Sequence, residues 1–267
     1  MSNPLDPRTV PSALVFTVTC LLAVPSVSAQ GFRWPDEPRN VSVLGPDVTG
    51  ARLGAVMRGF TFALGVRCEY CHVGEPGADL STFNFPTDDK AAKQKARVMI
   101  EMVKAVNETH LSQLSSLDEA PTTRVEVTCM TCHRGRPKPI MLEALLAEKI
   151  EAEGVDAAIA EYRELREEFY GGFAYDFSPR TLTGLGDRLS RSGNHEAALK
   201  ILALEIEMNG ETFGILLSLG RAQASAGMTE EAIKSFERGE VLAPERGKQF
   251  FRQQIERLKN PPPATLR

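Results

Sequence analysis

The chain has 267 residues, of which 42% are hydrophobic and 25% charged, with a formal net charge of −4, as in an ordinary globular protein. Formal side-chain charge is +1 over residues 30–139 and −5 over residues 140–267, so neither part has the basic excess that nucleic-acid binding needs. We therefore expect no nucleic-acid partner.

The first thirty residues carry the pattern of an export signal. Arg8 lies in a short polar start, an apolar run covers residues 13–24, and Ala29 ends a small-residue cleavage site. The run is shorter than the roughly 20 residues that span a bilayer, which favours a cleaved signal peptide over residues 1–29. This pattern predicts a periplasmic protein, and it is compatible with peripheral association with the membrane.

Helix and loop patterns alternate over residues 48–106. Val48 to Leu64 forms an amphipathic pattern that ends at Gly65, and residues 73–87 form a loop containing Gly and Pro. A second amphipathic helix follows, with Asp88 or Asp89 as its N-cap, and extends to Val106. No alternating strand pattern interrupts these segments, so the expected fold class is all-α.

Two copies of a C-x-x-C-H motif follow the predicted helices, and they contain every cysteine except Cys20 of the leader. This motif is the signature for covalent attachment of c-type haem, in which the thiols form thioethers and the histidine binds iron. The chain is thus predicted to carry two covalently bound haem c groups. The attaching residues are Cys68, Cys71, Cys129 and Cys132, and the proximal iron ligands are His72 and His133.

Two other chemistries use paired cysteines. Two C-x-x-C pairs can form a structural zinc site, and each pair can form a redox dithiol. Two complete motifs in an exported chain favour haem, because haem attachment takes place outside the bacterial cytoplasmic membrane. The signal peptide and the motifs are independent observations that agree on the periplasm.

The last part of the chain repeats with a period of 34 residues. The segment around Gly193 recurs around Gly227, and 34 residues is the period of tetratricopeptide repeats. A third, degenerate unit fits Gly154, Ala158 and Tyr162. We predict a short tetratricopeptide-like helical solenoid over residues 140–267, which binds protein or braces the haem domain, and a plain helical bundle is the alternative.

The haem region resembles the cytochrome c subunit of photosynthetic reaction centres. The resemblance covers residues 40–136 and includes positions beyond the C-x-x-C-H motifs themselves. It rests on Met57-Arg58-Gly59-Phe60, Leu64 to Val73, Ala96 to Met102, Asn107, and Val127 to Gly135.

The resemblance also implies the sixth iron ligands. In that family a helix typically precedes each attachment motif and supplies a methionine to the iron. By position, Met57, eleven residues before Cys68, is the ligand of the first haem, and Met99 is the best match for the second. Met102, His110 and an open position remain alternatives for the second haem, and a methionine on an apolar helix face is also a common core residue.

The sequence departs from the family in haem number. The photosynthetic subunit usually holds four haems in two similar halves, whereas this chain contains one half. Photosynthesis therefore does not follow from the resemblance.

Together these patterns predict a dihaem c-type cytochrome domain over residues 30–139 followed by the repeats. Such a protein carries single electrons between redox partner proteins, including a membrane electron-transfer complex, and is not an enzyme. One alternative is a haem enzyme, a peroxidase or small-oxyanion reductase, with one open haem site. Another is a haem-based sensor or scaffold that reports through the repeats.

Overall fold

The computed structural model describes residues 32–116 and 125–261. The predicted signal peptide, residues 1–29, lies outside the described residues. All helices of the described residues lie within the unit Trp34–Arg267. The domain boundary predicted at residue 139 stays a prediction.

The fold is all-α, as the sequence predicts. In residues 32–116 and 125–261 the only β-type pairing is an isolated antiparallel bridge between Val73 and Asn84. The described residues before residue 140 form four α-helices and several tighter turns. The helices are α1 (Gly50–Leu64), α2 (Cys68–Cys71), α3 (Ala91–Ala105) and α4 (Cys129–His133), with a π-helical turn at Val106–His110 and 3-10 turns at Leu80–Thr82 and Leu111–Ser116.

The predicted cap of α3 is wrong. Lys90 occupies the N-cap position, and no side chain caps the helix. Asp88 instead accepts two hydrogen bonds from the Arg97 guanidinium, both at 2.8 Å, and a third from the Asn40 amide at 2.8 Å. A bidentate, charge-assisted pair is stronger than a bond to a neutral backbone N–H, so Asp88 pairs with Arg97 and Asp89 does not replace it as a cap.

The helix that precedes each attachment motif packs on the attachment helix of the other motif. Helix α1 packs on α4, the second attachment helix, and α3 packs on α2, the first. The Gly135 N–H donates to the Ala63 carbonyl at 2.9 Å, which joins the end of α1 to the turn after α4. Gly65 ends α1 with φ 65°, and a Cβ there would overlap the Gly135 carbonyl. The close contact therefore requires glycine at residue 65.

The C-terminal part is a succession of helices from α5 to α11. Helix α5 packs on α6, and consecutive helices from α7 to α11 pack on each other, while α5 also contacts α7, α7 contacts α9, and α6 contacts α8. Pro179 begins α7, and the Asn194 and Thr212 side chains accept capping bonds at the starts of α8 and α9. The helices are α5 (Leu142–Glu153), α6 (Val155–Phe169), α7 (Pro179–Arg191), α8 (His195–Asn209), α9 (Phe213–Ser225), α10 (Thr229–Leu242) and α11 (Glu245–Lys259).

The 34-residue period recurs in the packing. Gly186 lies against Leu202, and 34 residues later Gly220 lies against Phe236; a Cβ at either glycine would meet the larger side chain at 2.7 or 2.5 Å. The small and large residues therefore interlock in the same way in both units. Each large side chain follows a fully buried alanine by four residues: Ala158 before Tyr162, Ala198 before Leu202 and Ala232 before Phe236.

The protein interior lies mainly in the C-terminal helices. Within the described ranges, the buried apolar side chains before residue 140 are Val48, Leu53, Ala63 and Phe83, and all others lie from Leu142 onward. The largest cluster joins α5, α6, α7 and α8. The region around the two motifs therefore has little interior built from side chains alone.

Membrane spans were also considered. Across residues 32–116 and 125–261, no helix has both the length and the apolar character that crossing a membrane requires.

Candidate haem attachment sites

Each motif forms a single short helix. In α2 and α4 the two cysteines are three residues apart, which places both sulfurs on one face. Cys68, Cys71 and Cys129 are partly buried, Cys132 is exposed, and all four are free thiols. This arrangement leaves both thiols of each motif available to one ligand.

Two of the four thiols have a raised pKa. Burial raises the pKa of Cys71, an effect that the nearby Lys90 ammonium partly offsets, and burial also raises the pKa of Cys129. A redox-active cysteine needs a lowered pKa because the thiolate is the nucleophile. Neither Cys71 nor Cys129 has the lowered pKa of such a thiolate.

The four cysteines also do not gather into one site. Among the residues with described positions, no group of three or more His, Cys, Asp or Glu side chains comes together as a metal ion would require. A structural zinc site built from both pairs needs four ligands around one centre. The two motifs instead present separate sites.

The first motif histidine is oriented by the loop that follows it. The Nδ1 of His72 lies 3.2 Å from the Phe85 carbonyl oxygen, and the two rings make an edge contact with centroids 5.0 Å apart. A carbonyl can only accept, so Nδ1 carries the proton and donates it, and Nε2 keeps its lone pair. This is the tautomer in which a histidine binds a metal through Nε2.

The second motif histidine is oriented in the same way. The Nδ1 of His133 donates to the Arg136 carbonyl at 2.8 Å. The Nε2 atoms of both motif histidines are thus the free ligand atoms. Sequence reasoning identified the two histidines but missed the carbonyls of Phe85 and Arg136, because a backbone acceptor leaves no mark in the residue types.

Lys93 is a further group of the first site that the sequence reasoning missed. Its Nζ donates to the carbonyls of Phe85 at 2.8 Å, Pro86 at 3.1 Å and Thr87 at 2.8 Å. The Phe85 carbonyl therefore accepts from both His72 and Lys93. Burial lowers the pKa of His72, and the Lys93 charge lowers it further, while the hydrogen bond to the Phe85 carbonyl raises it.

Asn107 holds the segment that enters the second motif. Its Nδ2 donates to the Val127 carbonyl at 2.7 Å, and its Oδ1 accepts from the Val127 N–H at 2.8 Å. Asn107 belongs to the π-helical turn after α3. The amide therefore ties that turn to the start of α4, which gives a physical reason for an asparagine in the motif pattern.

The proposed sixth ligands lie on the helices that the sequence assigned. Met57 is partly buried on α1, and Met99 and Met102 lie on α3 with 38% and 45% of their surface exposed. His110 is exposed at the end of the π-helical turn. The assignment of Met57 and Met99 as ligands stays a prediction.

Large apolar side chains near the motifs are exposed, and a bound apolar group would bury them. Phe62 exposes 69% of its surface and Val98 61%, although both lie on amphipathic helices next to a motif. A porphyrin attached to each cysteine pair is a flat apolar group that would bury such side chains. When bound, haem supplies one-electron chemistry at iron; the residues that would hold it are Cys68, Cys71 and His72, and Cys129, Cys132 and His133.

An all-α fold with two attachment helices and two carbonyl-oriented histidines defines the class of c-type cytochromes. Comparison with known proteins gives the family. The family model described as photosynthetic reaction centre cytochrome C subunit matches residues 6–253, so the chain belongs to that family.

Two curated relatives illustrate the extent of the similarity. The photosynthetic reaction center cytochrome c subunit of Thermochromatium tepidum is 31% identical over 119 residues, 44% of this chain and 25% of the relative. The protein of the same name from Rubrivivax gelatinosus is 30% identical over 141 residues, 52% of this chain and 33% of the relative. The matched part of the chain therefore spans only a quarter to a third of each relative.

Proposed function

We propose that this chain is a dihaem c-type cytochrome that carries single electrons between redox partner proteins. The observation that carries the proposal is the shared geometry of His72 and His133, each of which gives its Nδ1 proton to a backbone carbonyl and leaves Nε2 free. Two equivalent sites in one chain favour electron transfer from haem to haem. The chain itself contributes attachment through the cysteines and tuning of the iron ligands through the carbonyls.

Intact mass spectrometry tests the haem number. Protein expressed with a haem-attachment system should carry the mass of two haems, and acid–acetone extraction should remove neither, because thioethers are covalent. A chain with one haem, or with haem that extracts, would contradict the proposal.

Methionine at both sixth positions is part of the proposal. Histidine–methionine ligation is the usual arrangement of electron-transfer cytochromes and raises the reduction potential. Met57 and Met99 are the proposed ligands of the first and second haem. An enzyme with one open haem site is the rival proposal, and carbon monoxide distinguishes the two, because it binds an iron with an open position and not one with six ligands.

The proposed location is the periplasm, with peripheral association with the membrane. The signal-peptide pattern over residues 1–29 supports export, and both curated relatives are named as subunits of a reaction center. Haem-stained fractions should therefore show the mature chain in the periplasmic fraction or in a salt-washable membrane fraction. Haem-stained protein in the cytoplasmic fraction would contradict the location.

The C-terminal half is proposed to be a tetratricopeptide-like solenoid that docks a partner protein. The repeated glycine-to-large packing supports the solenoid. A groove of about 380 Å³ between α7, α9 and α11 supports docking, since it presents Arg191, Arg221 and Arg257. Asp187 also lines the groove, and with the three arginines the lining carries a net positive charge. This net positive charge selects an acidic segment of the partner.

A synthetic Asp- and Glu-rich peptide tests the groove. It should bind the full chain with an affinity that falls as salt rises, and Arg221→Glu should abolish binding. Arg180→Glu is the matched control, because Arg180 is exposed and lies outside the groove. Equal loss of binding in both variants would show a general charge effect and contradict docking at the groove.

A further inference from the structure

In the turn after the second motif, one residue, Arg136, makes two hydrogen bonds with His133. Arg134 and Gly135 have φ values of 51° and 80°, which reverses the backbone directly after α4. The Arg136 N–H then donates to the His133 carbonyl at 2.9 Å, and the Arg136 carbonyl accepts from His133 Nδ1 at 2.8 Å. The orientation of the His133 ring therefore depends on where Arg136 lies.

The side chain of Arg136 reaches the C-terminal helices. Its guanidinium lies over the Phe169 ring, 4.6 Å from the centroid, and over the Tyr175 ring, 5.0 Å from the centroid. Tyr175 is only 6% exposed and belongs to the core of α5 to α8, against which Phe169 also packs. A cation held over two ring faces has few allowed positions, so this core restricts Arg136.

The first motif has no such connection among the described contacts. His72 donates to Phe85, whose carbonyl also accepts from Lys93 of α3, so both groups around His72 come from the N-terminal region. The two sites therefore differ in what holds the proximal histidine. The first is set by its own loop and helix, and the second by a contact with the C-terminal helices.

We propose that Arg136 is a positioning residue for the proximal ligand of the second haem, held in place by Phe169 and Tyr175. This proposal rests on the proposed function, because it requires His133 to be an iron ligand. It gives the C-terminal helices a role inside a haem site in addition to docking. A movement of those helices, for example when a partner binds, displaces the Arg136 side chain and with it the carbonyl that orients His133.

Substitution in the full holoprotein tests the proposal. Arg136→Met keeps an unbranched side chain and removes the charge, which frees the turn and weakens the bond from His133 Nδ1–H to the carbonyl. A weaker bond makes the imidazole a poorer electron donor and raises the midpoint potential, whereas loss of the positive charge lowers it, so one of the two midpoint potentials should shift and the other should stay unchanged. Arg136→Lys keeps a cation over the rings and should restore most of the wild-type potential.

Lys93→Met provides the matched control at the first site. It removes a competing donor from the Phe85 carbonyl and a positive charge near His72, so the other potential should shift, and in the downward direction. The pair Phe169→Leu with Tyr175→Leu frees the same turn without removing the charge, so it should shift the same midpoint potential upward, and it should add little when combined with Arg136→Met. Amide exchange in residues 129–140 should accelerate in both the Arg136→Met and the ring variants.

The outcomes are distinguishable. Intact mass of the wild-type chain is measured first, and a chain with fewer than two covalent haems overturns the proposed function and this proposal with it. With two haems attached, unchanged potentials and unchanged exchange in Arg136→Met overturn the role of Arg136 alone. If Arg136→Met does not fold, the ring variants decide, and unshifted potentials in them overturn the proposal.

Discussion

His72 and His133 have the same local geometry but different supports. The Phe85 carbonyl accepts from His72 and also from the partly buried Lys93 ammonium, whereas the Arg136 carbonyl accepts from His133 and belongs to a residue whose guanidinium lies over two aromatic rings. A positive charge near a ligand disfavours the oxidised, more positive iron, and a strong bond to Nδ1 favours it. The chain therefore has the means to give the two proposed haems different potentials.

The sharpest prediction at the residue scale concerns Met57. Met57→Ala should open one iron, lower one of the two midpoint potentials, and let that haem bind carbon monoxide. Met102→Ala is the control, since Met102 is an exposed α3 methionine that the proposal does not use as a ligand. Redox titration and carbon monoxide difference spectra provide the measurements.

Two outcomes would contradict this assignment. Unchanged potentials and spectra in Met57→Ala would make Met57 a core residue. Stoichiometric binding of carbon monoxide to the wild-type protein would favour the enzyme proposal over the carrier.

Sequence reasoning at this scale was limited by what side-chain identity can show. The cysteines and histidines of the sites follow from their spacing, because attachment chemistry demands that spacing. The contact of Arg136 with Phe169 and Tyr175 could not be predicted, because it joins residues more than thirty positions apart through a fold that the motif does not specify. The same holds for Lys93, which donates to three backbone carbonyls and also pairs with Asp88.

At the scale of elements, the junction of α1 with the second-motif turn has a testable requirement. Gly65→Ala should lower the free energy of unfolding by roughly 1–2 kcal/mol for its left-handed backbone and by about another 1–3 kcal/mol for the overlap with the Gly135 carbonyl. Gly77→Ala is the control, because Gly77 has φ 76° and open space around its Cβ position. Denaturant unfolding measures both variants, and equal losses would show that the close contact contributes nothing.

The Asp88–Arg97 pair predicts a pH dependence. The bonds from Arg97 hold the pKa of Asp88 well below its ordinary value of 3.8. A carboxyl with a lowered folded-state pKa stabilises the fold above its unfolded-state pKa, and this contribution is lost as pH falls through the folded-state value. Asp88→Asn should therefore lower the melting temperature at pH 7, and the difference from wild type should shrink in strong acid. A difference that is independent of pH would contradict the assignment.

Helix positions were predictable where apolar periodicity is strong. The pattern ending at Gly65 matches α1, which ends at Leu64, and the second amphipathic pattern matches α3, which ends at Ala105. The predicted N-cap of α3 was wrong because Asp88 pairs with the Arg97 guanidinium and not with the N–H groups at the start of the helix. The amphipathic pattern of α3 did not predict how far its apolar face is buried. Val98 and Met99 lie on that face and are exposed.

Across the whole molecule, most of the buried apolar side chains lie in α5 to α11. The folding of the region around the two motifs should therefore depend on attached haem more strongly than the folding of α5 to α11. Replacing Cys68, Cys71, Cys129 and Cys132 by alanine should leave amide protection high in α5 to α11 and low in α1 to α4, because the C-terminal helices hold most of the buried apolar residues. Hydrogen exchange of the variant and of the holoprotein measures this. Equal protection of both regions without attachment would contradict it.

The same uneven interior has a consequence for the order in which the protein matures. Forming a thioether requires an enzyme to reach both thiols and the neighbouring histidine, which a completed interior around them would prevent. A region that obtains most of its interior from the attached group stays accessible until attachment has taken place. The C-terminal helices can meanwhile fold on their own core and resist proteolysis, so biogenesis can proceed with one part of the chain already native and the other still open to modification.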